Sequence, residues 1–105
     1  LVSAIQFFPR MKKQNCMLMI RGIVHAEVPL DDWNFVSKPT QVSDELATTI
    51  VWSRRKITSG NSKFVKNIDV VYVGHTVLKE TCWLGNVKYI DIGAVFTGNL
   101  HLQEI

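Results

Sequence analysis

Four apolar residues, Val70-Val71-Tyr72-Val73, run straight into Gly74-His75-Thr76, and a second apolar segment follows close behind. So short a run, with three valines and no polar residue, reads as a buried strand. A buried strand needs other layers around it, and the rest of the chain offers them. Residues 3–8 and 17–24 are apolar and β-prone, and residues 9–15, carrying Arg10, Lys12 and Lys13, read as the loop between two strands. Residues 29–39, PLDDWNFVSKP, form a turn-rich loop anchored by two aromatics. Ser43 predicts the cap of a helix reaching about Trp52, with Asp44 and Glu45 favourable against the dipole and Leu46, Ala47, Ile50 and Val51 on one face. Residues 57–62 read as another loop, and residues 63–67 as one helical turn before the buried strand.

From Thr81 the text alternates and turns often. Strands are expected at 82–84, 87–92, 94–96 and 100–105, with Gly85-Asn86 as a tight hairpin turn, so the C-terminal quarter reads as an antiparallel meander. Helical text in the middle and strands at both ends make the fold class mixed α/β. A length of 105 residues suits one domain or part of one, and 47% apolar with 20% charged residues is ordinary globular composition. The opening Leu1-Val2-Ser3-Ala4, with neither an initiator methionine nor a polar lead-in, reads as a cut end.

Several classes of function are disfavoured. Cys16 and Cys82 stand in no metal-binding or disulfide pattern and are expected as free, buried thiols. No apolar run approaches the roughly 20 residues of a membrane helix and no signal-peptide pattern occurs, so the expected location is cytoplasmic, without a membrane. The net charge of +3 is small, and the cations are not interleaved with aromatics, so nucleic acid is not an expected partner.

Three places could carry chemistry. His25 and His75 each follow an apolar strand, and ligands of open α/β sheets gather beyond the carboxyl ends of strands, so two imidazoles could converge there as metal ligands. Gly74 is expected to supply the backbone freedom for that turn. Arg54, Arg55 and Lys56 end the predicted helix; an arginine there suits a phosphate oxyanion, while a solvated basic helix end explains Arg55 and Lys56. Asp91, within alternating text, could ligate a metal, orient a histidine or simply face solvent.

Taken together, Ile23-Val24-His25-Ala26, Val51-Trp52-Ser53-Arg54, Val73-Gly74-His75-Thr76, the stretch YIDIGAVF at 89–96 and Gly98-Asn99-Leu100 resemble the C-terminal half of the phosphoprotein phosphatase family. That family belongs to the metallophosphoesterases, and the likeness is to the short bacterial and bacteriophage-lambda-type serine/threonine phosphatases. Residues 21–105 carry the resemblance, and residues 1–20 fit only as a loosely similar hairpin. The resemblance implies a partial domain over residues 1–105, the C-terminal part of a two-sheet β-sandwich with flanking helices. It implies His25 and His75 as ligands of one metal in a two-metal centre, manganese in the complete enzyme, with Arg54 on the substrate phosphate and Thr76 and Asp91 in support. The implied reaction is attack of water on a phosphate ester of a phosphorylated protein or a small phosphoester.

Val77 and Ile92 depart from the family pattern, which has proline and threonine there. The GDxHG, GDxxDRG and GNHE elements of the N-terminal half do not occur. No catalytic residue of the family is therefore expected in this chain, which would be inactive alone and prone to self-association. A dinucleoside polyphosphate hydrolase fragment is the nearer alternative. A non-catalytic remnant that binds phosphate or a protein partner is the more distant one.

Overall fold

The computed structural model describes residues 5–11, 18–37 and 43–105. Five strands, β1 (Ile5–Met11), β2 (Leu18–Val24), β3 (Val70–Val73), β4 (Cys82–Leu84) and β5 (Val87–Tyr89), form one sheet in the order β1-β2-β3-β5-β4. The two outer pairings, β1 with β2 and β4 with β5, are antiparallel, whereas β2, β3 and β5 run parallel to one another. The fold is mixed α/β, as the succession of elements predicts. Pro9 has no N–H to donate and sits in β1, at the sheet edge, where a ladder bond on the outer side is not required.

The central strand β3 is buried at Val71, Tyr72 and Val73, which accounts for its unbroken apolar text. The core joins these to Val24, Val28, Trp33, Ile50, Val65, Val87 and Tyr89. Trp33 lies so close over Gly22 that a Cβ there would come within 2.4 Å of the indole. Only a glycine lets that ring reach the sheet.

Helix α1 (Asp44–Trp52) starts where Ser43 predicts, its hydroxyl accepting from the Leu46 N–H at 3.2 Å. Ser53 then takes extended backbone, and a second helix, α2 (Arg55–Ser59), follows, taking in residues 57–59 that the sequence reads as loop. The reason is not local. Buried Glu27 accepts the Lys56 N–H at 2.9 Å through Oε1, satisfying an amide that the first turn of a helix otherwise leaves open. The helix ends at Gly60 in the left-handed region. Residues 63–67 form no helical turn; Lys66 bridges to Asp32 instead, and Trp33 N–H donates to the Lys66 carbonyl at 2.9 Å.

The C-terminal quarter departs from the expected meander. The β4–β5 hairpin forms around Gly85-Asn86, but β5 then lies beside β3. Buried Asn86 braces this join, accepting from Val65 N–H at 2.8 Å and donating to the carbonyls of Val65 and Ile68. Residues 94–96, expected as strand, belong to a short helix α3 (Ala94–Thr97), because Gly93 and Gly98 both have φ 75° and break the extended chain on either side. Residues 98–105 form no strand, and the described residues hold one sheet where the resemblance implies two. Cys82 is free and half-buried instead of buried; Cys16 and residues 12–15 of the basic connector lie outside the described residues.

Candidate functional site

Parallel strands end at a common level, and this sheet has three side by side. Val24 of β2 is in register with Val73 of β3, which is in register with Tyr89 of β5. The residues just beyond them, His25, Gly74-His75 and Ile90-Asp91, therefore leave the sheet together. The backbone keeps that alignment past the strands, with Gly74 N–H donating to the His25 carbonyl at 3.0 Å and Ile90 N–H to the Val73 carbonyl at 2.9 Å. The two imidazoles meet with ring centroids 5.0 Å apart, tilted by 52°. His25, His75 and Asp91 line one cleft of about 410 Å³.

His75 itself makes the turn. It has φ 65°, and the Thr76 N–H donates across it to the Gly74 carbonyl at 2.7 Å, closing a three-residue turn. Gly74 is not among the positive-φ glycines, and a Cβ on it would meet nothing nearer than 3.8 Å, so the freedom expected at the glycine is instead strain carried by the histidine. A non-glycine residue in this region costs of order 1–3 kcal/mol and persists only where its surroundings hold it. What holds it here is the wall behind. Ala26 N–H donates to the Ile50 carbonyl at 2.8 Å, bringing the end of α1 to the end of β2, and the Trp52 ring stands edge-on to His75 at 5.7 Å.

The His75 ring is placed to accept a ligand. Its Nε2 is buried without a hydrogen-bond partner among the described residues. Desolvation pushes its pKa below the ordinary 6.5, aided by the positive charge of Arg54 and by His25; the Trp52 backbone and the Asp91 carboxylate oppose the shift only in part. The neutral, metal-competent imidazole is thus the favoured form near neutrality. A folded pKa below the unfolded one means that His75 contributes its full stability above the ordinary imidazole range, and that this is lost as pH falls through it. An NMR titration should put the His75 midpoint below 6.5; a midpoint above that value would contradict the buried, Arg54-facing environment.

Arg54 lies elsewhere. It is exposed at the start of α2 and lines a neighbouring cleft of about 610 Å³, with Trp52 on the wall between it and His75. Arg55 is exposed and 3.8 Å from Glu27. Lys56 is not part of a solvated basic helix end: it is buried, with Nζ paired to Asp31 and donating to the Lys63 carbonyl at 3.1 Å. Asp91 accepts the Gly93 N–H at 2.9 Å through Oδ1 and receives Leu78 N–H at its carbonyl, so it shapes the turn leading out of the cleft. Among the described residues no group of three His, Cys, Asp or Glu side chains is arranged to hold a metal; the imidazole pair stands without a carboxylate ligand. The cleft also contains Asn99, from the Gly98-Asn99-Leu100 element, and His101, which nothing in the sequence marks, since a lone histidine in alternating text carries no spacing signal.

No protein-family model matches the chain. Over 100 residues, 95% of this chain and 43% of the relative, it is 29% identical to serine/threonine-protein phosphatase 1 of Salmonella typhimurium strain LT2. The chain is distantly related to a phosphoprotein phosphatase. It spans less than half the length of that relative. Phosphoprotein phosphatases generally use divalent metals. No helix among the described residues is long and apolar enough to cross a membrane.

Proposed function

We propose that this chain is the C-terminal part of a metal-dependent serine/threonine protein phosphatase and carries part of one site of a two-metal centre. The observation behind this reading is the meeting of His25 and His75 beyond parallel strands, with a buried His75 Nε2 that has no hydrogen-bond partner among the described residues. Two imidazoles fit a divalent transition metal, and His25 and His75 would hold it. The chemistry a divalent metal supplies at such a site is Lewis-acid polarisation of a phosphoryl oxygen. Manganese is the metal proposed for the complete enzyme, whereas two neutral histidines alone suit zinc, copper or nickel better.

The other residues act on the substrate side. Arg54, exposed beside the Trp52 wall, grips a phosphate oxyanion with parallel N–H bonds. Thr76 closes the strained turn that carries His75, and Asp91 fixes the chain at Gly93 and brings a carboxylate near the ring. The substrate class is a phosphomonoester, phosphoserine or phosphothreonine in a protein. A dinucleoside polyphosphate hydrolase fragment ranks lower, because the Trp52-Ser53-Arg54 element fits protein phosphatases better.

The isolated chain is expected to hydrolyse p-nitrophenyl phosphate no faster than a buffer control containing manganese, since two imidazoles replace neither bridging carboxylate nor general acid. Manganese-dependent turnover that survives repurification and disappears in His75→Ala would overturn the incompleteness of the site. A second reading, a non-catalytic module binding phosphate or a partner, is favoured by the lack of a three-ligand group among the described residues. It would be supported by phosphate binding in a longer parent chain that also shows no turnover. Both readings entail self-association of the isolated chain, because Val95, Phe96, Leu100 and Leu102 are all more than two-thirds exposed. Sedimentation equilibrium checks this, and a monomer at every concentration would refute it.

A further inference from the structure

We propose that the cleft lined by Leu30, Trp52 and Arg54 selects phosphorylated peptides that carry a large apolar residue two positions from the phosphoserine or phosphothreonine, with that side chain seated against Leu30 and Trp52. The inference rests on the reading above that Arg54 takes the substrate phosphate. Leu30 and Trp52 are 80% and 65% exposed, and Arg54 and Arg55 bring exposed cations to the same lining. Folding alone gives no account of Leu30. Its backbone has φ 60° and ψ 13°, in the left-handed region where a leucine is strained and a glycine is not. Burial does not offset that cost, because the side chain faces solvent at the cleft. The turn is anchored by the next residue, Asp31, through its ion pair with Lys56. Trp52 is also held from behind, its ring edge-on to His75 at 5.7 Å. An exposed apolar surface that is already fixed in place gives contact area to a ligand at a small ordering cost.

Charge complementarity names the occupant. Arg55 is 3.8 Å from Glu27, which partly neutralises it, so Arg54 gives the cleft most of its attraction for an anion. Glu45, the carboxylate of the lining, lies about two turns of α1 before Trp52, roughly 10 Å at the helical rise and beyond the screening length of about 8 Å at physiological salt. The cleft therefore offers a cation beside an apolar wall, which inorganic phosphate would leave uncovered. In an extended peptide, alternate side chains share a face and lie about 7 Å apart. A phosphate on Arg54 thus brings the side chain two residues away to Leu30 and Trp52, and turns the adjacent one outward.

The test is NMR on this chain, with nitrogen-labelled tryptophan and arginine side chains. Capped pentapeptides are the probes: one with a central phosphoserine and glycine elsewhere, one with leucine at both ends instead, and the leucine peptide with unmodified serine. The leucine phosphopeptide is expected to bind about fivefold more tightly than the glycine one, as partial burial of one leucine side chain gives. It should shift the Trp52 indole N–H and the Arg54 guanidinium with one dissociation constant. Leu30→Gly relieves the strained turn, so this variant should keep its fold, bind the glycine phosphopeptide as the parent does, and reduce the preference for leucine below about twofold. Equal affinity for the two phosphopeptides, or a preference that survives Leu30→Gly, would overturn the assignment and leave the phosphatase reading standing. Failure of Arg54 to respond to either phosphopeptide, or equally tight binding of the unmodified peptide, would remove both.

Discussion

Zinc binding to this chain is expected to weaken on the order of 100-fold when either His25 or His75 is replaced by alanine. Four-ligand structural zinc sites are worth roughly 10–16 kcal/mol, or about 3 kcal/mol per ligand, and about 1.4 kcal/mol is a factor of ten. The two substitutions should be non-additive, because a single remaining imidazole already binds poorly. Titration calorimetry reads this directly, and tight manganese binding untouched by both substitutions would show that the histidines do not share a metal. His75→Gly gives an independent check on the strained turn. Glycine adopts φ 65° freely, so this variant is expected to lose metal affinity yet hold or gain stability, by about 1 kcal/mol, in urea. Equal loss of both properties would mean that the ring supports the fold and the strain is incidental.

Lys56→Ala is expected to destabilise the folded chain by about 3 kcal/mol, the cost of breaking a buried pair by removing one partner. Its side chain is 9% exposed and that of Asp31 22%, so the Asp31 carboxylate would be left with little water to replace the ammonium. The Lys63 carbonyl would lose its donor as well. The damage should spread along the loop, because Asp31 also has its backbone in the left-handed region, with φ 51°, beside Leu30 at φ 60°. The ion pair is what ties these two strained residues to α2. Urea unfolding of the parent, Lys56→Ala and the double variant Lys56→Met/Asp31→Leu decides the matter. The double variant should recover much of the loss, since an apolar pair avoids the desolvation cost of two charges. A single variant as stable as the parent would mean that the pair is solvated in solution.

Residues near in sequence spoke for themselves, and residues brought together by register did not. The apolar run Val70–Val73 determined a buried strand, Ser43 with Asp44 and Glu45 determined the start of α1, and Gly85-Asn86 determined a hairpin turn, because each depends on propensity, capping or turn chemistry within a few residues. The sequence also singled out His25 and His75 as residues following strands, without any means of telling whether those strands were neighbours. Only the parallel register Val24–Val73–Tyr89 decided that, and with it the convergence of the two rings and of Asp91. Tertiary contacts likewise overrode local text at α2, where a carboxylate 29 residues away accepts the Lys56 N–H, and at Lys56 itself, whose burial rests on Asp31. The strain at His75 belongs to the same class. Gly74 looked like the hinge because glycine is the residue that turns at no cost, but the Gly74–His25 backbone bond holds the glycine in line with the sheet and passes the turn to the histidine. His101 was invisible for a related reason: it reaches the cleft of His25 and His75 from a segment that Gln103 joins to Lys88 of β5 only in the folded chain.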